Sequence, residues 1–141
     1  MKPKLIAYWI TTGLIGLAFA FGGFADLSGS PQVVEGMTHL GYPAYFAKIL
    51  GVWKLLAAPA LLAPGFPRLK EWAYAGIAFD LTGAAASHAF SGDPMGNVMT
   101  PIVMLALAAA SWALRPEPRR LAAPTAAGGT HSIPAGEPVP A

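Results

Sequence analysis

The chain predicts an all-α fold, a four-helix transmembrane bundle followed by a disordered C-terminal tail, and three observations carry that reading. Of its 141 residues, 55% are hydrophobic and 11% are charged, against roughly 25% charged in soluble domains. A chain this short has too little interior to hide that much apolar surface from water, whereas a bilayer is itself apolar. Four apolar runs of crossing length follow one another along residues 1–120. The lysines and arginines outside those runs fall only in alternate connections.

The first run, residues 5–25, reads "LIAYWITTGLIGLAFAFGGFA" and carries no charge. At about 1.5 Å per residue it spans a hydrocarbon core of about 30 Å. Lys2 and Lys4 before it give it some likeness to a cleaved signal peptide. However, its apolar stretch exceeds the roughly 7–15 residues of such a segment. The second run, 44–62, contains Lys48 near its start, Lys54 at its middle and Pro59, whose ring removes a helical hydrogen bond and predicts a bend. The third, 72–90, has Asp80 at its centre, and the fourth, 97–114, has Pro101 in its first turns. Between the first two runs, residues 33–40 suit a short surface helix. Residues 121–141 are rich in Ala, Pro and Gly without a buryable pattern, which predicts a disordered cytoplasmic tail in which His131 is solvated.

Charge sets the expected orientation. Lys2 and Lys4 precede run one, Arg68 and Lys70 join runs two and three, and Arg115, Arg119 and Arg120 follow run four. Connections 26–43 and 91–96 contain Asp26, Glu35 and Asp93 but no lysine or arginine. The positive-inside rule then places both termini in the cytoplasm, for a multi-pass protein of the inner (plasma) membrane.

In that frame Lys54 and Asp80 lie at similar depth, about 15 Å from a membrane face. Each alone costs roughly 2.5–3.5 kcal/mol to insert. Opposite charges on adjacent crossings offset that penalty, so a buried Lys54–Asp80 ion pair is expected between runs two and three. Gly51 and Ala58 share the Lys54 face, and Gly76, Gly83 and Ala84 share that of Asp80. Small residues of this kind permit close helix contact in lipid. The pair either lines a polar cavity for a ligand, proton or ion or only specifies helix register. Near the outer interface, Asp26, Lys48 and His39, with His88 and Asp93, either surround a vestibule or serve as ordinary interfacial polar residues.

Several chemistries are excluded by counting. With no cysteine there is no disulfide or thiol relay. The net charge of +2, with basic residues scattered, gives no nucleic-acid stripe. One histidine within the crossings is too few for bis-histidine haem and poor material for zinc. Ser87 and His88, adjacent on a helix, point about 100° apart, which argues against a hydrolytic triad. The sequence thus predicts no catalytic residue, no metal and no cofactor.

"YWITTGLIGLAFAFGGFADL", then "LGYP", then "ILGVWKLLAAPALLAPGFPRLKEWAYAGIAFDLTGAAASHAFSGDP" resembles the DoxX-like family of small bacterial membrane proteins, from about Trp9 to Arg115. The most specific elements are "GYP" at residues 41–43, Lys54, "KEWAYAG" at 70–76 and "GAAASH" at 83–88. The resemblance implies four membrane helices. It implies an association with quinone-linked membrane oxidoreductases, with Lys54, Glu71, Asp80 and His88 at motif positions. Together with the aromatic Trp53 beside Lys54, these residues make a candidate site for a small lipophilic, quinone-like ligand. The function expected is an accessory subunit or ligand binder without catalysis of its own, contacting lipid and other membrane subunits or further copies of itself. A small oligomeric transporter or channel, and a purely structural assembly factor, are the competing readings.

Overall fold

The computed structural model describes residues 2–124. Among these there are five α-helices and no strand: α1 (Pro3–Ser28), α2 (Pro31–His39), α3 (Ala44–Leu62), α4 (Pro67–Phe90) and α5 (Met95–Ala113). A short 3-10 turn, Glu117–Arg119, follows. The all-α class therefore stands, and the helix number is corrected from four to five. The extra element, α2, lies where a short surface helix was expected. Pro31 at its first turn and Gly41 just past its end define it. Residues 125–141, most of the expected disordered tail and His131 with it, lie outside the described residues.

Three helices, α1, α3 and α5, are long and apolar enough to cross a membrane. α4 is as long as these, with 24 residues, but Arg68, Lys70, Glu71, Asp80 and His88 make it more polar. α5 begins at Met95, so Pro101 sits inside it rather than at its opening. A proline there cannot donate to the carbonyl four residues back, which leaves the Asn97 oxygen without its helical partner.

The four long helices pack in a ring. α1 lies between α3 and α5, α4 packs on α5, and the α3–α4 contact that closes the ring is the sparsest. Ile15 and Phe19 of α1, Leu61 of α3, Tyr74 and Ile77 of α4 and Ala108 of α5 meet at the centre. Outside, Phe21, Phe24, Trp53, Trp72, Phe79 and Phe90 are each more than two-thirds exposed. In water so much apolar surface would drive association, whereas in a bilayer it is the natural outer coat.

The closest helix contact is between α1 and α3, not between α3 and α4 as the small residues beside Lys54 and Asp80 suggest. A Cβ added at Gly23 would stand 2.8 Å from the Gly51 carbonyl oxygen and 3.0 Å from the Leu55 nitrogen. One added at Gly51 would stand 2.8 Å from the Gly23 oxygen and 3.0 Å from the Leu27 nitrogen. Residue 23 faces 55 and 27 faces 51, so the helices run antiparallel with backbones in near contact. Gly51 thus serves the α1 interface, and this crossing positions the charged cluster.

Candidate functional site

Lys54 projects from α3 into the ring. Its Nζ donates a hydrogen bond to Asp26 Oδ2 of α1 at 2.9 Å and stands 3.9 Å from Asp80 Oδ2 of α4. The side chains of all three are mostly buried, with 20%, 12% and 16% of their surface exposed for Lys54, Asp26 and Asp80. The expected Lys54–Asp80 pair is present at the longer distance, and Asp26, which the sequence reading placed elsewhere, is the nearer partner. The tight α1–α3 crossing brings Asp26 within reach, and the lysine stem runs past Gly22, its Cδ at an ordinary contact distance of 3.9 Å from a Cβ placed there. With all three groups ionised the cluster carries one excess negative charge.

Two cavities meet at this cluster, and Phe19, Lys54 and Asp80 line both. One, of about 480 Å³, runs along α4 and α5 past Ala84 to His88, Asn97 and Thr100. The other, of about 530 Å³, is an apolar cleft between α3 and α4 whose walls include Trp53, Trp72, Phe79, Leu56 and Ile77. It lies where the ring is most loosely closed. Trp53, Trp72 and Phe79 are 69%, 78% and 78% exposed, so the cleft opens toward the surroundings of the helices.

His88 closes the polar cavity at its far end and also lines a third pocket of about 400 Å³ with Asn97, Asp93, His39, Glu35 and Gln32. Local sequence builds this mouth. Gly92, at φ 71, ends α4 with two bonds, Gly92 N–H to the Ala89 carbonyl and Asp93 N–H to the His88 carbonyl. That reversal is a left-handed glycine cap, and it folds Asp93 back over His88. Asp93 Oδ2 then meets His88 Nδ1 and Oδ1 meets His39 Nε2, both at 2.6 Å. Hydrogen bonds from His88 and then His39 hold the Asp93 carboxyl below the usual carboxylate range. The same cap recurs at Gly41, φ 83, after α2, with Tyr42 N–H bonded to the Met37 carbonyl. Tyr42 Oη then hydrogen-bonds Ser87 Oγ at 2.7 Å, tying the "GYP" segment to "GAAASH".

The remaining candidates separate. His39 joins Asp93 instead of Asp26, and Lys48 is exposed on α3 and enters no ion pair among the described residues. The expected cluster of Asp26, Lys48 and His39 is thus divided, because the α1–α3 crossing turns Asp26 inward. Trp53 flanks the apolar cleft. Glu71 lies toward the other end of the ring, where Arg115 Nη2 contacts Oε1 at 2.7 Å and Trp112 Nε1 donates to Oε2 at 2.9 Å. Those partners occupy both its oxygens, so Glu71 is no part of the Lys54 cluster.

That other end also holds polar groups that the sequence does not single out. Thr12, Lys70 and Ser111 are fully buried and Arg115 is 3% exposed. Ser111 Oγ bonds Thr12 Oγ1 at 2.6 Å and Tyr74 Oη at 2.7 Å. Lys70 Nζ donates to the carbonyls of Ala60 and Ala63, and Arg119 to those of Leu61 and Leu62. The only available signal for these was position: cations just beyond the C-termini of α3 and α5, where helices leave carbonyls unpaired. Among the described residues no three His, Cys, Asp or Glu side chains are grouped to hold a metal ion.

A model of the DoxX-like family matches residues 10–111, most of the chain, and the protein belongs to that family. No curated protein and no solved structure matches it. With three helices apolar enough to cross, it is a multi-pass membrane protein.

Proposed function

We propose that this member of the DoxX-like family is a four-crossing inner-membrane protein that binds a small lipophilic, quinone-like ring as an accessory subunit of a membrane oxidoreductase system. α1, α3, α4 and α5 cross, and both termini lie in the cytoplasm. α4 joins the crossings because its polar groups in the hydrocarbon face cavities and partners rather than lipid. Lys2, Lys4, Arg68, Lys70, Arg115 and Arg119, all at the end carrying the chain termini, favour that orientation.

The observation that carries the ligand reading is the α3–α4 cleft, apolar and aromatic along its length, with one ammonium and one carboxylate where it meets the interior. Ligand sites combine this majority of apolar wall with a few convergent polar groups. A ring with oxygen substituents lies between Trp53, Trp72 and Phe79, with one oxygen accepting from Lys54 and entry laterally from lipid. Lys54, Asp80 and Trp53 are its contacts, while Asp26 holds Lys54 in position.

A short-chain ubiquinone analogue, titrated into the full chain in lipid nanodiscs, tests this through quenching of tryptophan fluorescence. Saturable quenching is expected. Trp72→Ala, which removes an exposed cleft wall, is expected to weaken binding about tenfold, and Lys54→Met to weaken it further. Binding unchanged in Trp72→Ala would remove the cleft from the site.

A further inference from the structure

Asp80 has no hydrogen-bond partner among the described residues and only the longer contact to Lys54, which bonds Asp26. A single ammonium facing two mostly buried carboxylates leaves the cluster one negative charge in excess. A proton delivered to Asp80 leaves the cluster neutral. The question is how such a proton reaches the middle of the helices.

The cavities supply a route. The polar cavity extends from Asp80 past Ala84 and Thr100 to His88 and Asn97. The pocket beyond begins at the same His88 and Asn97 and ends at Asp93, His39 and Glu35. His88 is therefore part of the partition between a buried carboxylate and the end of the molecule. Its Nδ1 is held by Asp93 at 2.6 Å, and Nε2 is bonded by no protein atom among the described residues. A carboxylate on one ring nitrogen orients an imidazole, leaving the other nitrogen to exchange. Asp80 and His88 lie two turns apart on α4, about 12 Å along the axis. The intervening cavity of about 480 Å³ has room for several waters at about 30 Å³ each. Thr100 and the Asn97 carbonyl that Pro101 leaves unpaired offer those waters polar partners.

We propose that His88 is a proton-relay residue that connects the aqueous mouth at Asp93, His39 and Glu35 to the Asp80 carboxylate. A proton from mouth water adds to Nε2 of neutral His88, forming an imidazolium opposite the Asp93 carboxylate. Nε2 releases it to cavity water, which passes one of its own protons to Asp80, so one proton leaves bulk water and one carboxylate becomes a carboxylic acid. The groups facing this path are Asp93 from the α4–α5 turn, His39 and Glu35 from α2, Lys54 from α3 and Asp26 from α1. From α5 there are only the uncharged Asn97 and Thr100. The relay does not depend on the proposed ligand, and either reading survives failure of the other.

The test uses the full chain in nanodiscs, with Asp80 protonation followed by the infrared carbonyl band that Asp80→Asn removes. After a downward pH jump, His88→Ala is expected to slow growth of that band at least tenfold, and free imidazole in the buffer to restore the rate. A purely structural role for His88 gives no imidazole rescue and overturns the relay, as does an unchanged rate. The sequence contains no cysteine, so Thr100→Cys with His88 intact gives a second measurement. A charged, membrane-impermeant thiol reagent is expected to modify it from the mouth side, and to leave Ser111→Cys at the opposite end unmodified. An unreactive Thr100→Cys means that the path is closed to water and refutes the proposal.

Discussion

At one end of the helices Lys70 and Arg115 are buried and Arg119 partly so, and their donors are almost all taken, with Arg115 Nη1 the one buried side-chain atom left over among the described residues. At the other end Lys54, Asp80, His88 and Asp93 line cavities, and Asp26 pairs with Lys54 there. The difference follows from which helix termini meet at each end. α3 and α5 finish at the first end, and a helix C-terminus presents carbonyls without partners. Lys70 and Arg119 satisfy those of α3, while Arg115 and Arg120 satisfy those of α5. At the second end α1 and α4 finish in left-handed glycines, Gly29 and Gly92, whose turns need no cation. Charged side chains there are left facing one another and open space. One end spends its charges on the backbone, and the other leaves them facing cavities, where the proposed ligand and the proposed proton path would meet them.

The sharpest way to break this contrast is Arg115→Ala. It strips Glu71 of its ion pair and empties the space against Tyr74 and Trp112, over whose rings the guanidinium sits at 5.3 and 5.1 Å. Loss of about 3 kcal/mol is expected in SDS or thermal unfolding, and a change below 1 kcal/mol would mean that the sealed end is not what stabilises the molecule. Gly51→Ala comes next, at about 2 kcal/mol, because its methyl meets the α1 backbone and forces the crossing apart. The same variant should lengthen the Asp26–Lys54 contact, visible as an altered Asp26 carboxylate band.

Ser111→Ala is expected to destabilise by about 1 kcal/mol, since both Thr12 and Tyr74 lose a partner. His88→Gln should alter stability by less than about 0.5 kcal/mol, being a half-exposed side chain in a cavity wall, while changing the proton kinetics. A stability loss equal to that of Arg115→Ala would erase the distinction between the ends.

The smallest effect concerns pH. Because the folded structure holds the Asp93 carboxyl below its usual range, Asp93 contributes to docking of α2 fully above the ordinary aspartate pKa of about 3.9. That contribution is lost only as pH falls through the lower folded value. Spin labels at Glu35→Cys and Met95→Cys should therefore hold their separation as pH is lowered to about 4 and widen below it. Widening that begins and ends above that range would assign the latch to other groups.

Some of the site was legible beforehand. Lys54 and Asp80 stood out because an ionised group inside an apolar run has to find a partner or a cavity. His88 and Asp93 were both placed near the outer interface, but the cap at Gly92 that joins them was not read from the sequence. Asp26 was misplaced because it looked like the polar end of a crossing, whereas α1 continues to Ser28. Glu71 looked like a site residue from its motif position but answers to Arg115, a contact across 44 positions of chain (115 − 71). Thr12 and Ser111, 99 residues apart, gave no local sign at all.

Helix formation, approximate helix limits and suitability for a bilayer depend on the composition and spacing of single residues, and those the sequence determined by itself. Which carboxylate a given ammonium reaches depends on where two helices cross, to within an ångström or two. That crossing is set where Gly23 and Gly51 let backbones touch. Lys54 had Asp26 and Asp80 within its possible reach, and only the packing of α1 on α3 ranked them. Coulombic energy changes steeply over that distance in a low-dielectric interior, so a pattern along the chain, which carries no interhelical distances, could nominate the charges but not pair them.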